Sequence, residues 1–240
     1  MNMSNHYMPA QIKSIVNQLL KKTHSSYKEN NIIPLYDIVC SHPIRIAEIE
    51  DLSFHTAAQF LSSETGQSVP LPENERQELA GFLFIQRYRK TLYGCILVEK
   101  KDSIVRRRFS VAHELGHYLL HFLPEFESQH ASQDLVFAEG LTYSSNLTDD
   151  LPTGKLALIQ SLENLSGFNF IENELVEKEA NQFAAELLIP ESRCKDMYRD
   201  FTKKYGVQRP VLIKRLATEF LVSAEAMKWR LMALKLHPSL

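Results

Sequence analysis

Cysteine is scarce in this chain. The 240 residues contain three, Cys40, Cys95 and Cys194. They are odd in number, widely spaced and set in apolar segments, which excludes a disulfide framework and a C-x-x-C metal site. They read as reduced thiols, and the expected location is cytoplasmic. Long apolar runs are missing too. Nothing approaches the roughly 20 residues that span a bilayer, so no membrane role is expected. The stretch Met1 to Tyr7 has neither the basic start nor the apolar core of a signal peptide. An excess of one charge is also lacking. Lys and Arg total 27, Asp and Glu 29, for a net charge of −2, so nothing draws the whole molecule to nucleic acid or an anionic surface. Without internal repeats or low-complexity tracts, solenoid and fibrous architectures are excluded. What remains is a chain with 44% hydrophobic and 23% charged residues, long enough for one large domain or two small ones.

Hydrophobic spacing gives the outline. Ile12, Ile15, Val16, Leu19 and Leu20 predict a helix over 9–22. A short helix is expected at 34–41, a short strand near 44–46, and a helix at 51–62 with Asp51 as its cap. The apolar runs 80–85 and 92–98, joined by a short polar link, predict an antiparallel hairpin. A helix from Asp102 or Ser103 to Pro124 follows. The Ser-, Asn- and Asp-rich stretch 124–154 reads as a long loop or lid, and 155–165 as a short helix. Helices are expected at 172–189, 191–204, 210–220 and 223–236. The fold class is α+β, a small antiparallel sheet packed on a helical body.

The helix expected over 103–124 carries His113-Glu114-Leu115-Gly116-His117, an H-E-x-x-H sequence. Histidines four residues apart share one helical face, so both imidazoles can close on one small cation. A glutamate after the first of them stands where a general base reaches a metal-activated water. His121 lies one further turn along. On a straight helix it is about 12 Å from His113, so it reads as a packing or supporting residue rather than a ligand. Gly116, between the two histidines, costs helix stability relative to Ala. It either permits close packing or is merely tolerated. Arg106-Arg107-Arg108 reads as a salt-bridged or solvated face. His130 and Tyr143 are candidate donors to a developing oxyanion.

Catalytic zinc takes three protein ligands and keeps one position open. The helix expected over 172–189 offers Glu172, Glu174, Glu177, Glu179 and Glu186. Periodicity alone does not select one, although the apolar face of Val176, Ala180, Phe183, Ala184, Leu187 and Leu188 lies slightly nearer Glu177 than Glu179.

The block Arg107-Arg108-Phe109-Ser110-Val111-Ala112-His113-Glu114-Leu115-Gly116-His117-Tyr118-Leu119-Leu120-His121, with the later Glu179-Ala180-Asn181-Gln182-Phe183-Ala184-Ala185-Glu186-Leu187-Leu188-Ile189-Pro190, resembles the ImmA/IrrE family of metallo-endopeptidases. The C-terminal stretch 216–231 is similar to that family's ending. The resemblance implies that Glu179, before Ala-Asn-x-Phe-Ala, is the third ligand beside His113 and His117, with Glu114 as the catalytic base. The resemblance covers roughly residues 32–236, so the expected organisation is an N-terminal helix in 1–30 and a peptidase domain over 31–240, with an insertion near 124–170 and C-terminal helices over 191–236. The expected function is a Zn2+-dependent endopeptidase, Mn2+ being the alternative ion. It hydrolyses a peptide bond through a metal-bound hydroxide. Its expected partner is a protein substrate, a repressor or antitoxin-like regulator. The rival reading is a regulatory binding module, its metal site structural or weakly active, that engages DNA or a partner repressor. Residues 208–236 have the outline of a helix-turn-helix, whose reading helix would carry Ser223, Glu225, Lys228, Trp229 and Arg230. Mixed charge and the apolar spacing of Leu212, Leu216, Phe220, Met227 and Leu231 favour packing, so direct nucleic-acid binding is not expected.

Overall fold

The computed structural model describes residues 6–22, 32–66, 68–69, 78–128, 136–142, 153–159, 169–171, 174–205 and 209–236. The chain opens with α1 (Pro9–Lys22), α2 (Leu35–Cys40), β1 (Ile44–Ile49) and α3 (Phe54–Thr65). The hairpin β2 (Leu79–Tyr88) and β3 (Thr91–Glu99) leads into α4 (Ile104–His117). After a π-helical turn, Tyr118–Phe122, come α5 (Leu123–Ser128), β4 (Val136–Thr142), β5 (Thr153–Ile159) and β6 (Asn169–Ile171). Helices α6 (Glu174–Leu188), α7 (Glu191–Tyr205), α8 (Arg209–Phe220) and α9 (Ala224–Ala233) close the described chain.

The architecture is α+β, with a larger sheet than the local patterns suggest. Six strands run in the order β1-β3-β2-β4-β5-β6. The sheet is mixed, because β1 lies parallel to β3, with Ile44 opposite Gly94 and Ile49 opposite Glu99. The other pairings are antiparallel. The β2–β3 hairpin turns tightly between Tyr88 and Thr91, with Arg89 at φ 55° in the left-handed region such turns use. The apolar run of β2 has a simple cause. Leu83 and Ile85 face one core, Phe82 and Phe84 the other, so the strand is buried on both sides.

The 124–154 stretch is not a plain loop. It contains most of α5, all of β4 and the start of β5. The helix expected over 155–165 is instead strand β5 as far as Ile159. The cap of α3 is Ser53 rather than Asp51. Ser53 Oγ accepts from the Thr56 N–H while the Thr56 hydroxyl accepts from the Ser53 N–H. The motif helix also does not stop at Pro124. A mid-helix proline has no N–H to give and crowds the carbonyl four residues back. The wide turn before it, in which the Leu123 N–H bonds to the Tyr118 carbonyl, lets the chain pass Pro124 and continue as α5.

The larger core lies between the sheet and the helices. Ile12, Val16 and Leu20 of α1 share it with Val111, Ala112 and Leu115 of α4 and with Phe183, Ala184 and Leu187 of α6. The basic run is spoken for: Arg106 pairs with Asp102, Arg107 with Glu48, and the buried Arg108 donates to the Ile33 carbonyl at 3.0 Å. In the C-terminal helices, Leu212, Leu216, Phe220, Met227 and Leu231 are all buried. Arg230, a candidate base-reader in the helix-turn-helix outline, is buried too. Its guanidinium donates to Glu186 at 2.6 Å and to the Ile189 carbonyl at 2.9 Å. This ion pair holds α9 against the end of α6. Arg230→Ala would strand the Glu186 carboxylate away from water. The expected loss is about 3–5 kcal/mol of unfolding free energy, read from urea melts; a loss below about 1 kcal/mol contradicts the role given to the pair.

Candidate metal centre and its neighbours

Helices α4 and α6 pack closely because Gly116 has no side chain. A Cβ there would stand 3.0 Å from Phe183 Cδ1 and 3.3 Å from Ala180 Cα. Of the two readings of Gly116, close packing is the one the structure supports. Each helix presents two polar groups one turn apart, His113 and His117 from α4, Glu177 and Asn181 from α6. His113 Nε2 and His117 Nε2 are 2.8 Å apart. Glu177 places one oxygen 3.3 Å from His113 Nε2 and the other 3.6 Å from His117 Nε2. One donor atom from each of the three lies within 4.8 Å of the others.

Asn181 sets the tautomer. Its Oδ1 is 3.0 Å from His113 Nδ1, so Nδ1 carries the proton and donates, leaving the Nε2 lone pair for the space shared with His117 and Glu177. Both imidazoles are fully buried. Burial, then the neighbouring His117, lowers the pKa of His113, which favours the neutral ring. For Glu177, burial works against ionisation, but the two histidines beside it outweigh burial and hold the carboxyl well below its usual range. A neutral His113 ring beside a carboxylate anion at Glu177 suits metal ligation. Nitrogen, nitrogen and carboxylate oxygen is also the donor chemistry of a catalytic zinc site.

The third acidic residue differs from the expectation. Glu179 does not join the two histidines; Glu177 does. Residues two apart on a helix point about 200° from each other, so only one of them can face α4's motif. The Glu179 carboxylate turns to another set of groups, His6, Tyr7 and His121. Sequence reasoning also passed over Asn181. The signal was there, since Asn181 stands four residues after Glu177 on the same face. The His121 side chain is largely buried, its ring 5.4 Å from that of His117. Burial, and next His117, push its pKa down to about 3. His130 and Tyr143 lie outside the described residues.

Glu114 is fully buried, and strand β2 lies directly against it. A Cβ built on Gly81 would come within 2.9 Å of Glu114 Oε1 and 3.2 Å of Ser110 Cβ. The carboxylate is the mobile partner in that contact, so a methyl group at this point displaces it rather than the strand. With Glu114 in the base role that the resemblance implies, Gly81→Ala should leave metal content intact and slow turnover by about 10- to 100-fold, in line with the cost of misplacing a reacting group by around an ångström. Wild-type turnover in this variant would show that the Glu114 position is not critical.

Among the described residues, no helix is long and apolar enough to cross a membrane. A search of curated proteins returns no match to the chain. The family model of the IrrE N-terminal-like domain matches residues 75–141 and 156–232, which takes in β2, β3, the H-E-x-x-H helix, α6 and the C-terminal helices through most of α9. The match covers more than half of the sequence and holds both halves of the donor set, so the chain belongs to the IrrE N-terminal-like family of peptidases.

Proposed function

We propose that the protein is a zinc-dependent endopeptidase that cuts a specific regulatory protein, a repressor or antitoxin-like factor. The observation that carries the reading is the meeting of His113, His117 and Glu177, with Glu114 buried on the same helix as the two histidines. In this reading His113, His117 and Glu177 hold the cation, and Asn181 keeps His113 in the tautomer that ligates. Two nitrogens and one carboxylate suit Zn2+ better than Mn2+, which prefers oxygen-rich sets. The chemistry supplied by a bound cation of this kind is Lewis acidity, which polarises a peptide carbonyl and makes water acidic enough to deprotonate near neutral pH.

The chain's own contribution is proton transfer and shelter. Glu114 accepts a proton from the attacking water as the water oxygen bonds to the scissile carbonyl carbon. The same proton passes from the Glu114 carboxyl to the leaving nitrogen as the C–N bond breaks. Burial keeps bulk water from solvating that carboxylate and strengthens its electrostatic effect. Three free cysteines support a reducing compartment, the cytoplasm. The buried Arg230, Met227 and Leu231 support packing rather than base reading for α9.

The test is a survey of new protein N-termini in extract of the cells that encode the protein, after adding the zinc-loaded wild type or its Glu114→Gln variant. A few cleavage sites confined to one or two regulators, absent with the variant, are expected. Widespread cleavage would overturn the claim of a narrow substrate. An unchanged extract would overturn the peptidase reading.

A further inference from the structure

Glu179 has surroundings of its own, distinct from the three groups that meet at Glu177. Its side chain is only 9% exposed. One oxygen accepts the Tyr7 N–H at 2.9 Å and stands 3.4 Å from His6 Nδ1. The other stands 3.8 Å from His121 Nδ1 and makes no hydrogen bond. The His121 side chain is 5% exposed, and its Nε2 is likewise buried without a hydrogen-bond partner. The Tyr7 ring lies edge-on to that of His121, with centroids 6.4 Å apart. A buried carboxylate without a cation beside it is costly. Two imidazoles around one carboxylate form a ligand set of the kind that binds divalent transition metals.

We propose that Glu179, His121 and His6 form a second divalent-cation site, weaker than the first, that clasps the segment before α1 onto the α4–α6 pair. Glu179 and His121 are held by the core. His6 is half exposed, at 48%, and must turn toward His121 to close the site, because the three donor groups do not already meet as those of the first centre do. Because one of three ligands must be ordered on binding, the second site is the weaker. The inference rests on the reading of Glu177, not Glu179, as the carboxylate of the first centre.

The experiment is a Zn2+ titration of the full chain against a chromophoric chelator. Wild type is expected to take up one tight and one weaker equivalent. His6→Ala and Glu179→Gln should each weaken the second equivalent on the order of 10- to 100-fold or more and keep the tight one. The double variant His113→Ala/His117→Ala should lose the tight equivalent and keep the weaker. A single equivalent in wild type overturns the second site. So does a weaker equivalent that persists unchanged in His6→Ala, or a tight one that disappears in Glu179→Gln. Failure of the first centre has a separate signature, a tight equivalent that survives in the His113/His117 double variant.

Discussion

Glu114→Gln is expected to fold, to hold its metal and to lose proteolysis almost completely. Glutamine nearly matches glutamate in volume, which matters at a fully buried position with Gly81 close against the carboxylate. The amide cannot take a proton from water, so the step that turns water into a nucleophile loses its acceptor. Removing general-base action costs about 10²–10⁴ in rate. Metal content should stay at the wild-type level, because His113, His117 and Glu177 are untouched. Zinc content and substrate cleavage measured on the same preparation check both halves. Cleavage at the wild-type rate, with the substitution verified by intact-protein mass, would remove Glu114 from the mechanism.

The largest effect on metal binding is expected at Glu177. Glu177→Gln keeps size and helix propensity but replaces an anionic oxygen donor with a neutral amide. Affinity for the tight equivalent should fall by more than the 10- to 100-fold typical of changes to supporting residues. Activity at limiting zinc should fall with it. Glu179→Gln should retain the tight equivalent, since its carboxylate faces His6, Tyr7 and His121 instead. Competition against a chelator of known affinity separates the two variants. The opposite pattern, with Glu179→Gln losing tight zinc and Glu177→Gln keeping it, would restore Glu179 as the third ligand.

The glutamate question shows where sequence is informative and where it is not. The H-E-x-x-H pair was legible because both ligands come from one helix, where spacing alone fixes the face. The third donor comes from another helix, and its choice depends on how that helix is rotated against α4. The apolar face of α6 leaned toward Glu177, while the resemblance pointed to Glu179. Packing through Gly116 against Ala180 and Phe183 agrees with the apolar face. The β2–β3 hairpin was legible for a similarly local reason, since its partners are adjacent in sequence. The parallel pairing of β1 with β3 was not, because it joins residues some fifty positions apart and leaves no local mark. Strands β4 and β5 are short segments within a largely polar stretch, whose weak strand preference is overridden by pairing with β2 and with each other. Glu179 and Arg230 are charged residues whose helical spacing alone gives no sign of burial. Their burial follows only from partners contributed by distant segments.

The donor set is split between α4 and α6, with three strands between them in the chain. An unfolded chain therefore retains only a histidine pair, and the full set exists only once α6 has docked. A ligand that binds the native state alone adds to its stability by mass action, about 4 kcal/mol when free metal stands at a thousand times the dissociation constant. Metal availability thus becomes a term in the thermal stability of the molecule. Chelation should lower the melting temperature of wild type and Glu114→Gln alike, while Glu177→Gln should show a much smaller shift, the part that the weaker site alone supplies.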